Sequence, residues 1–318
     1  MLVEYALIPD IFDANCYDYP ELCSSRIEYI KDVLLEEALV RDLRNGDWCK
    51  YFETYLKKNG DSWPQRSKEI IKKLIKQNRL RRVPAAQATT PSNYLEWCYE
   101  AISSHEQQPL TGVITTQSNA TAVSKPDIVA SIDKLSGADW WRKRSPSIRL
   151  YRTTNDYLRH LQLLFCNANS IMFIDPYIDP MKDGYNNVNN DGYREFNQLL
   201  TAIKNPDEPP VIEIHLCHLE DAITPRQYEA NFRSKLSGVI NKGGLTVEVF
   251  IWDNFHDRYL ISNLIGINLP HGFGISDPDT PNPITTWTRL GRKDRDDIQR
   301  EFDPASGRHK LQHRFTVS

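Results

Sequence analysis

The residue types best suited to chemistry in this chain are His256 and Arg258. They follow a strand-like run, Val247, Val249 and Ile251, which opens on Gly243-Gly244 and breaks at Asp253-Asn254. On an extended segment, residues two apart project from one face, so the imidazole and guanidinium stand side by side. Such a pair suits a phosphate: one group can attack, and the other neutralises charge. Leu260 and Ile261 begin a second short strand, closed by Asn263. Asp175 is another candidate. It ends the apolar run Ser170-Ile-Met-Phe-Ile174 and opens Asp175-Pro-Tyr-Ile-Asp179, at the C-terminal end of a buried strand, where open α/β sheets place ligands. A cap or turn carboxylate is an equal reading of Asp175.

The spacing His256, Asp257, Arg258, then four residues, then Asn263 resembles the phospholipase D superfamily signature, His-x-Lys followed four residues later by Asp or Asn. The glycine, strand and polar turn ahead of His256 are similar to that family's approach to its histidine. Arg258 replaces the family lysine, and His271-Gly-Phe-Gly274 is the nearest substitute for its Gly-Ser element. The HDR triplet followed by a strand and a glycine-rich turn looks closer to the phospholipase-D-like C-terminal domain of MIT-containing proteins. Members of that kind are regarded as membrane- or partner-binding modules.

The resemblance implies a histidine nucleophile, His256, a phosphate clamp, Arg258, and an orienting group, Asn263. It implies no metal and no cofactor. Two histidines form each active site in that family, and this chain carries one copy of the motif. A homodimer facing its motifs across a two-fold axis is therefore expected; His313, in His-Arg-Phe, is a distant alternative. Arginine keeps the charge but holds the oxygen differently from lysine, so binding survives the exchange more easily than turnover.

A second basic feature lies upstream. Lys57 to Arg82 holds ten Lys or Arg residues and two acids, Asp61 and Glu69. Lys72, Lys73, Lys76, Arg79, Arg81 and Arg82 are its candidate contacts to nucleic acid or phosphate. Lysines on the outer face of an amphipathic helix are otherwise merely solvated, and cations at its C-terminus complement the helix dipole. Trp140-Trp141-Arg-Lys-Arg144 is read either as packing between domains or as an aromatic-basic contact. Asp10, Asp13, Asp18 and Glu21 form an acidic cluster, read as turn and cap carboxylates in preference to a metal site. His215 and His218 point to opposite sides of a strand and make a poor metal pair.

The elements that must position these residues follow from composition and periodicity. The chain has 318 residues, 40% hydrophobic and 25% charged, with a net charge of −3, an ordinary globular composition long enough for two domains. No apolar run approaches a membrane span, and the start, MLVEYALIPDIFD, has no basic region of the secretory kind. A cytoplasmic protein with six reduced cysteines is expected. Helical periodicity over Ser25–Arg44, Trp48–Lys58, Ser67–Leu80 and Tyr94–Ser103 predicts a mainly helical N-terminal domain, 1–104. The polar stretch 105–146 predicts a linker or long surface loop. From 147 to 318, strands alternate with helices, which predicts an α/β domain with a largely parallel sheet; the resemblance implies that this domain, 147–318, is phospholipase-D-like. Ile171–Ile174, Ile212–Leu216 and Val247–Ile251 are its expected adjacent buried strands, and Gly184–Gly192 is an Asn-rich loop.

The functional expectation is a metal-independent phosphodiesterase, most naturally a nuclease acting on DNA or RNA, in a prokaryotic accessory or defence role. The alternative is an inactive phospholipase-D-like module that binds nucleic acid, phosphorylated lipid or a protein partner, the last through the N-terminal domain.

Overall fold

A computed structural model describes residues 1–58, 63–178, 192–204, 209–218, 223–276 and 283–318. Asp179, the loop at 184–191, Asp61 and the side chains of Leu56, Lys57 and Lys58 lie outside the described residues. The chain divides into two compact units, Leu2–Arg144 and Ser145–Ser318, with Met1 grouped in the latter. Both units are α/β.

The first unit is built on five strands, β1 (Val3–Leu7), β2 (Ala38–Asp42), β3 (Leu80–Arg82), β4 (Gly112–Thr115) and β5 (Val129–Ser131). All pairings are parallel, in the order β3-β2-β1-β4-β5. Its helices are α1 (Pro20–Glu36), α2 (Leu43–Lys58), α3 (Gln65–Lys76), α4 (Tyr94–Gln107), α5 (Gln117–Val123) and α6 (Asp139–Arg142). Every residue of β2 and β4 is buried, as a parallel sheet covered on both faces requires.

The mainly helical N-terminal domain is thus corrected to a parallel α/β unit. The helix expected over Ser25–Arg44 ends at Glu36, and Ala38–Asp42 continues as a central strand. Charge hid that strand. Arg41 is wholly buried, its guanidinium donating to both Glu4 carboxylate oxygens at 3.0 and 2.8 Å and to the Ser104 and Gln108 carbonyls. The linker expected over 105–146 is also corrected, because it supplies β4, α5, β5 and α6 to this sheet unit. Trp140 and Trp141 pack on Tyr5 of β1, with ring centroids 5.7 and 5.8 Å away. The Arg144 guanidinium lies 3.7 Å over the Trp141 ring. Their role is packing inside the first unit.

The second unit holds β6 (Ser147–Tyr151), β7 (Ser170–Ile174), β8 (Val211–Cys217), β9 (Thr246–Trp252), β10 (Tyr259–Ser262), β11 (Gly266–Asn268), β12 (Ile284–Arg289) and β13 (Leu311–Val317). Its helices are α7 (Thr154–Phe165), α8 (Gly192–Thr201), α9 (Pro225–Lys242) and α10 (Arg292–Glu301). The sheet order is β13-β9-β8-β7-β10-β11-β12-β6. The neighbours β7, β8 and β9 are parallel and deeply buried, as their apolar runs require. Every other pairing is antiparallel, so the sheet is mixed. The strand β11 falls in the glycine- and proline-rich stretch from Asn263 to Pro283, where the sequence predicts no strand. The helix α9 begins with a reciprocal cap between Thr224 and Gln227, and α7 begins on the Thr153 side chain, which accepts from the Asp156 N–H.

Direction along this sheet decides which side chains meet. The C-terminal ends of β6, β7, β9 and β11 lie at one edge together with the N-terminal ends of β10 and β12. Residues 151–152, 175–177, 253–258 and 269–274 therefore share that edge.

Candidate phosphate site at one edge of the second sheet

Asp175 follows β7 directly and is 4% exposed. Its Oδ1 accepts from the Tyr177 N–H at 3.0 Å, and its Oδ2 from the Phe273 N–H at 3.0 Å. The close approach depends on Gly272, at φ +58, where a Cβ would strike the Asp175 carboxylate. Burial pushes the Asp175 pKa up, opposed by those two backbone bonds and by the charge of Arg258.

Arg258 leads into β10. Its Nε lies 3.7 Å from Asp175 Oδ1, its Nη1 donates to the Pro270 carbonyl at 3.0 Å, and its guanidinium carbon sits 4.8 Å over the Tyr177 ring. The side chain remains 26% exposed. Among the described residues nothing is bonded to Nη2. A partly open guanidinium, held by a buried carboxylate and a carbonyl, can present its remaining donors to an anion.

Two more groups complete the edge. Arg152, after β6, donates from Nε to the Gly274 carbonyl at 3.3 Å, and that oxygen also accepts from the Tyr157 hydroxyl at 3.0 Å. His271 has its Nδ1 3.1 Å from the Thr285 hydroxyl. Burial and then the charges of Arg152 and Arg258 hold the His271 pKa below the usual imidazole value.

His256 is exposed beside exposed Asp257 in the irregular segment after β9. Among the described residues no group bonds its imidazole. Asn263 does not join it. Its Oδ1 accepts from the Asn169 and Ser170 N–H groups at 2.9 and 3.3 Å, at the start of β7. At about 3.4 Å per residue, Asn263 lies roughly 17 Å along the strand from Arg258, at the opposite edge of the sheet. The orienting role expected of Asn263 is corrected: it pins the α7–β7 turn. His313, on the edge strand β13, is bonded to Glu229 of α9 at 2.7 Å, away from this site. His215 is buried in an aromatic stack with Phe250 and Trp252 and accepts from the Trp252 indole on Nδ1.

The basic candidates of the first unit separate by burial. Lys72, Lys73 and Lys76 are exposed on α3, and Arg82 is exposed at the end of β3. Arg79 is 2% exposed and donates to the Ala38 carbonyl, and Arg81 donates to Glu4 at 2.7 Å and to Gln108. These two are corrected from ligand contacts to internal ties of the sheet.

The acidic cluster is likewise internal in part. Asp10 Oδ2 accepts from Thr115, Thr116 and Asn119, while Asp13 caps a short turn and takes the Tyr94 hydroxyl at 2.8 Å. Among the described residues no group of three or more His, Cys, Asp or Glu is arranged to hold a metal ion. A cavity of about 540 Å³ opens beside this cluster, lined by Asp18, Tyr17, Tyr94, Ser118 and Asn119 among others. It lies at the C-terminal ends of β1 and β4, where the strand order reverses.

Sequence reasoning missed Arg152 and Tyr177 as site residues. The available signals were an Arg directly after a strand and an aromatic two residues beyond Asp175. No family model matches this chain, and no curated protein matches it. Among solved structures it is similar to TrmBL2, an archaeal chromatin protein whose structure shows a novel mode of DNA binding. That similarity covers 77% of this chain and 82% of the other at 10% identity, with a TM-score of 0.30, too low to carry an argument. No helix among the described residues is long and apolar enough to cross a membrane.

Proposed function

We propose that the second unit is a phosphate-ester recognition module in which Arg258 clamps the ester, flanked by Arg152 and His271. The observation that carries this reading is the brace on Arg258: a buried carboxylate and a backbone carbonyl fix one side of a guanidinium that stays partly open. A cation fixed before binding loses less side-chain entropy when the anion arrives. The likeness of the His256–Arg258 spacing to the phospholipase D signature points to the same ligand class.

Binding is favoured over turnover by the state of His256. A nucleophilic imidazole needs a partner that sets its tautomer and aim, and among the described residues His256 has none, while Asn263 stands at the far edge. Hydrolysis remains the second reading because His256 is exposed at the edge that carries Arg258. It requires a second copy of the chain to supply the other histidine.

The test is anisotropy with a labelled phosphodiester, alongside a cleavage assay in EDTA and a measurement of oligomeric state. Arg258→Ala is expected to weaken binding about tenfold or more, as loss of a charge-assisted hydrogen bond does, with no product formed by wild type. Unchanged binding in Arg258→Ala removes the phosphate reading. Cleavage lost in His256→Ala by a dimeric protein replaces binding with hydrolysis.

A further inference from the structure

Tyr177 is 51% exposed although its backbone is tied to the carboxylate that braces Arg258. Arg152, after β6, lies at the same edge of the sheet. A phosphate clamp alone gives no reason for a large exposed aromatic ring beside Arg258. A flat ring set against guanidinium groups matches a chain that alternates bases with phosphates.

Resting on the phosphate reading, we propose that this edge binds single-stranded nucleic acid, with phosphates at Arg258 and Arg152 and a base stacked at Tyr177. A single strand is required because bases in a duplex already stack on their neighbours and offer no free face. Tyr177 is suited to the task because its backbone bond to Asp175 and its contact with Arg258 fix the ring at the clamp. Stacking of this kind tolerates any base, so little sequence preference is expected.

The experiment compares a labelled single-stranded oligonucleotide with an abasic strand of the same length and phosphate count, and with the duplex. Wild type is expected to bind the strand with bases about 5- to 100-fold tighter than the abasic strand. Tyr177→Leu is expected to shrink that ratio towards one, and Tyr177→Phe to keep it. Arg258→Ala is expected to weaken binding of both strands. A wild-type ratio near one, a ratio indifferent to Tyr177→Leu, or tighter binding of the duplex overturns the base-stacking proposal while leaving phosphate recognition standing. Failure of both strands to bind, or indifference of both to Arg258→Ala, removes the phosphate reading and this proposal with it.

Discussion

Gly272→Ala is expected to damage the phosphate site more than any other methyl-sized change at that edge. Gly272 sits at φ +58, and an added Cβ would come 2.7 Å from Asp175 Cγ and 2.9 Å from Arg258 Cδ, both too close to stand. The left-handed backbone costs an alanine about 1–2 kcal/mol. Moving the Asp175 carboxylate aside leaves the buried Phe273 N–H without its acceptor, a further cost of about 1–3 kcal/mol. Together these give a loss of about 2–5 kcal/mol in stability, with weaker phosphodiester binding because the brace on Arg258 shifts. Gly274→Ala is the control. Its Cβ would meet nothing closer than Arg152 Nη2 at 3.4 Å and the His271 carbonyl at 3.5 Å. That change is expected to be neutral or stabilising by about 0.4–1 kcal/mol. Urea melts and diester titrations of both variants make the comparison. Equal melts and equal affinities for Gly272→Ala and wild type would mean that neither the Gly272 backbone nor the Asp175–Phe273 bond holds the site together.

Two further outcomes concern the first unit. Arg41→Met leaves Glu4 charged and buried with only Arg81 beside it, at an expected cost of about 3–5 kcal/mol; adding Glu4→Leu should recover part of it, and a double variant as unstable as the sum of the singles speaks against the pairing. Burial raises the Asp10 pKa against the bonds from Thr115, Thr116 and Asn119, so its stabilising contribution is complete below the unfolded carboxylate pKa and is lost as pH rises through the folded one. Asp10→Asn abolishes that titration. Wild type should therefore gain stability relative to the variant as pH falls through the raised folded pKa towards the ordinary carboxylate range, and a pH-independent difference in melts contradicts the assignment.

The strands β7, β8 and β9 were legible because each is an apolar run bounded by helical or turn signals. The strand β2 was not, since Arg41 and Asp42 place charges inside it and the carboxylate that compensates Arg41 lies 37 residues away at Glu4. The strand β4 is four residues long and followed by Thr, Gln, Ser and Asn, so local composition read as a linker while tertiary burial made a strand. At the site, Asp175 and Arg258 were each visible, one by its place after a buried strand and the other by its spacing from His256. Their pairing was not visible, because it is made by the adjacency of β7 and β10. The His271–Gly274 turn was noticed without its function: only the positive φ at Gly272 and the bond from Phe273 to Asp175 show what the glycine permits.

An anion bound among Arg258, Arg152 and His271 is reported directly by the His271 titration. In the free protein, burial and the two arginine charges keep its pKa low. A bound phosphodiester offsets those charges, so the His271 C2–H resonance should titrate at higher pH when the protein is saturated with dimethyl phosphate. By linkage, affinity for the diester should rise as pH falls through the same range. An unchanged His271 titration at saturation would mean that no anion binds among Arg258, Arg152 and His271.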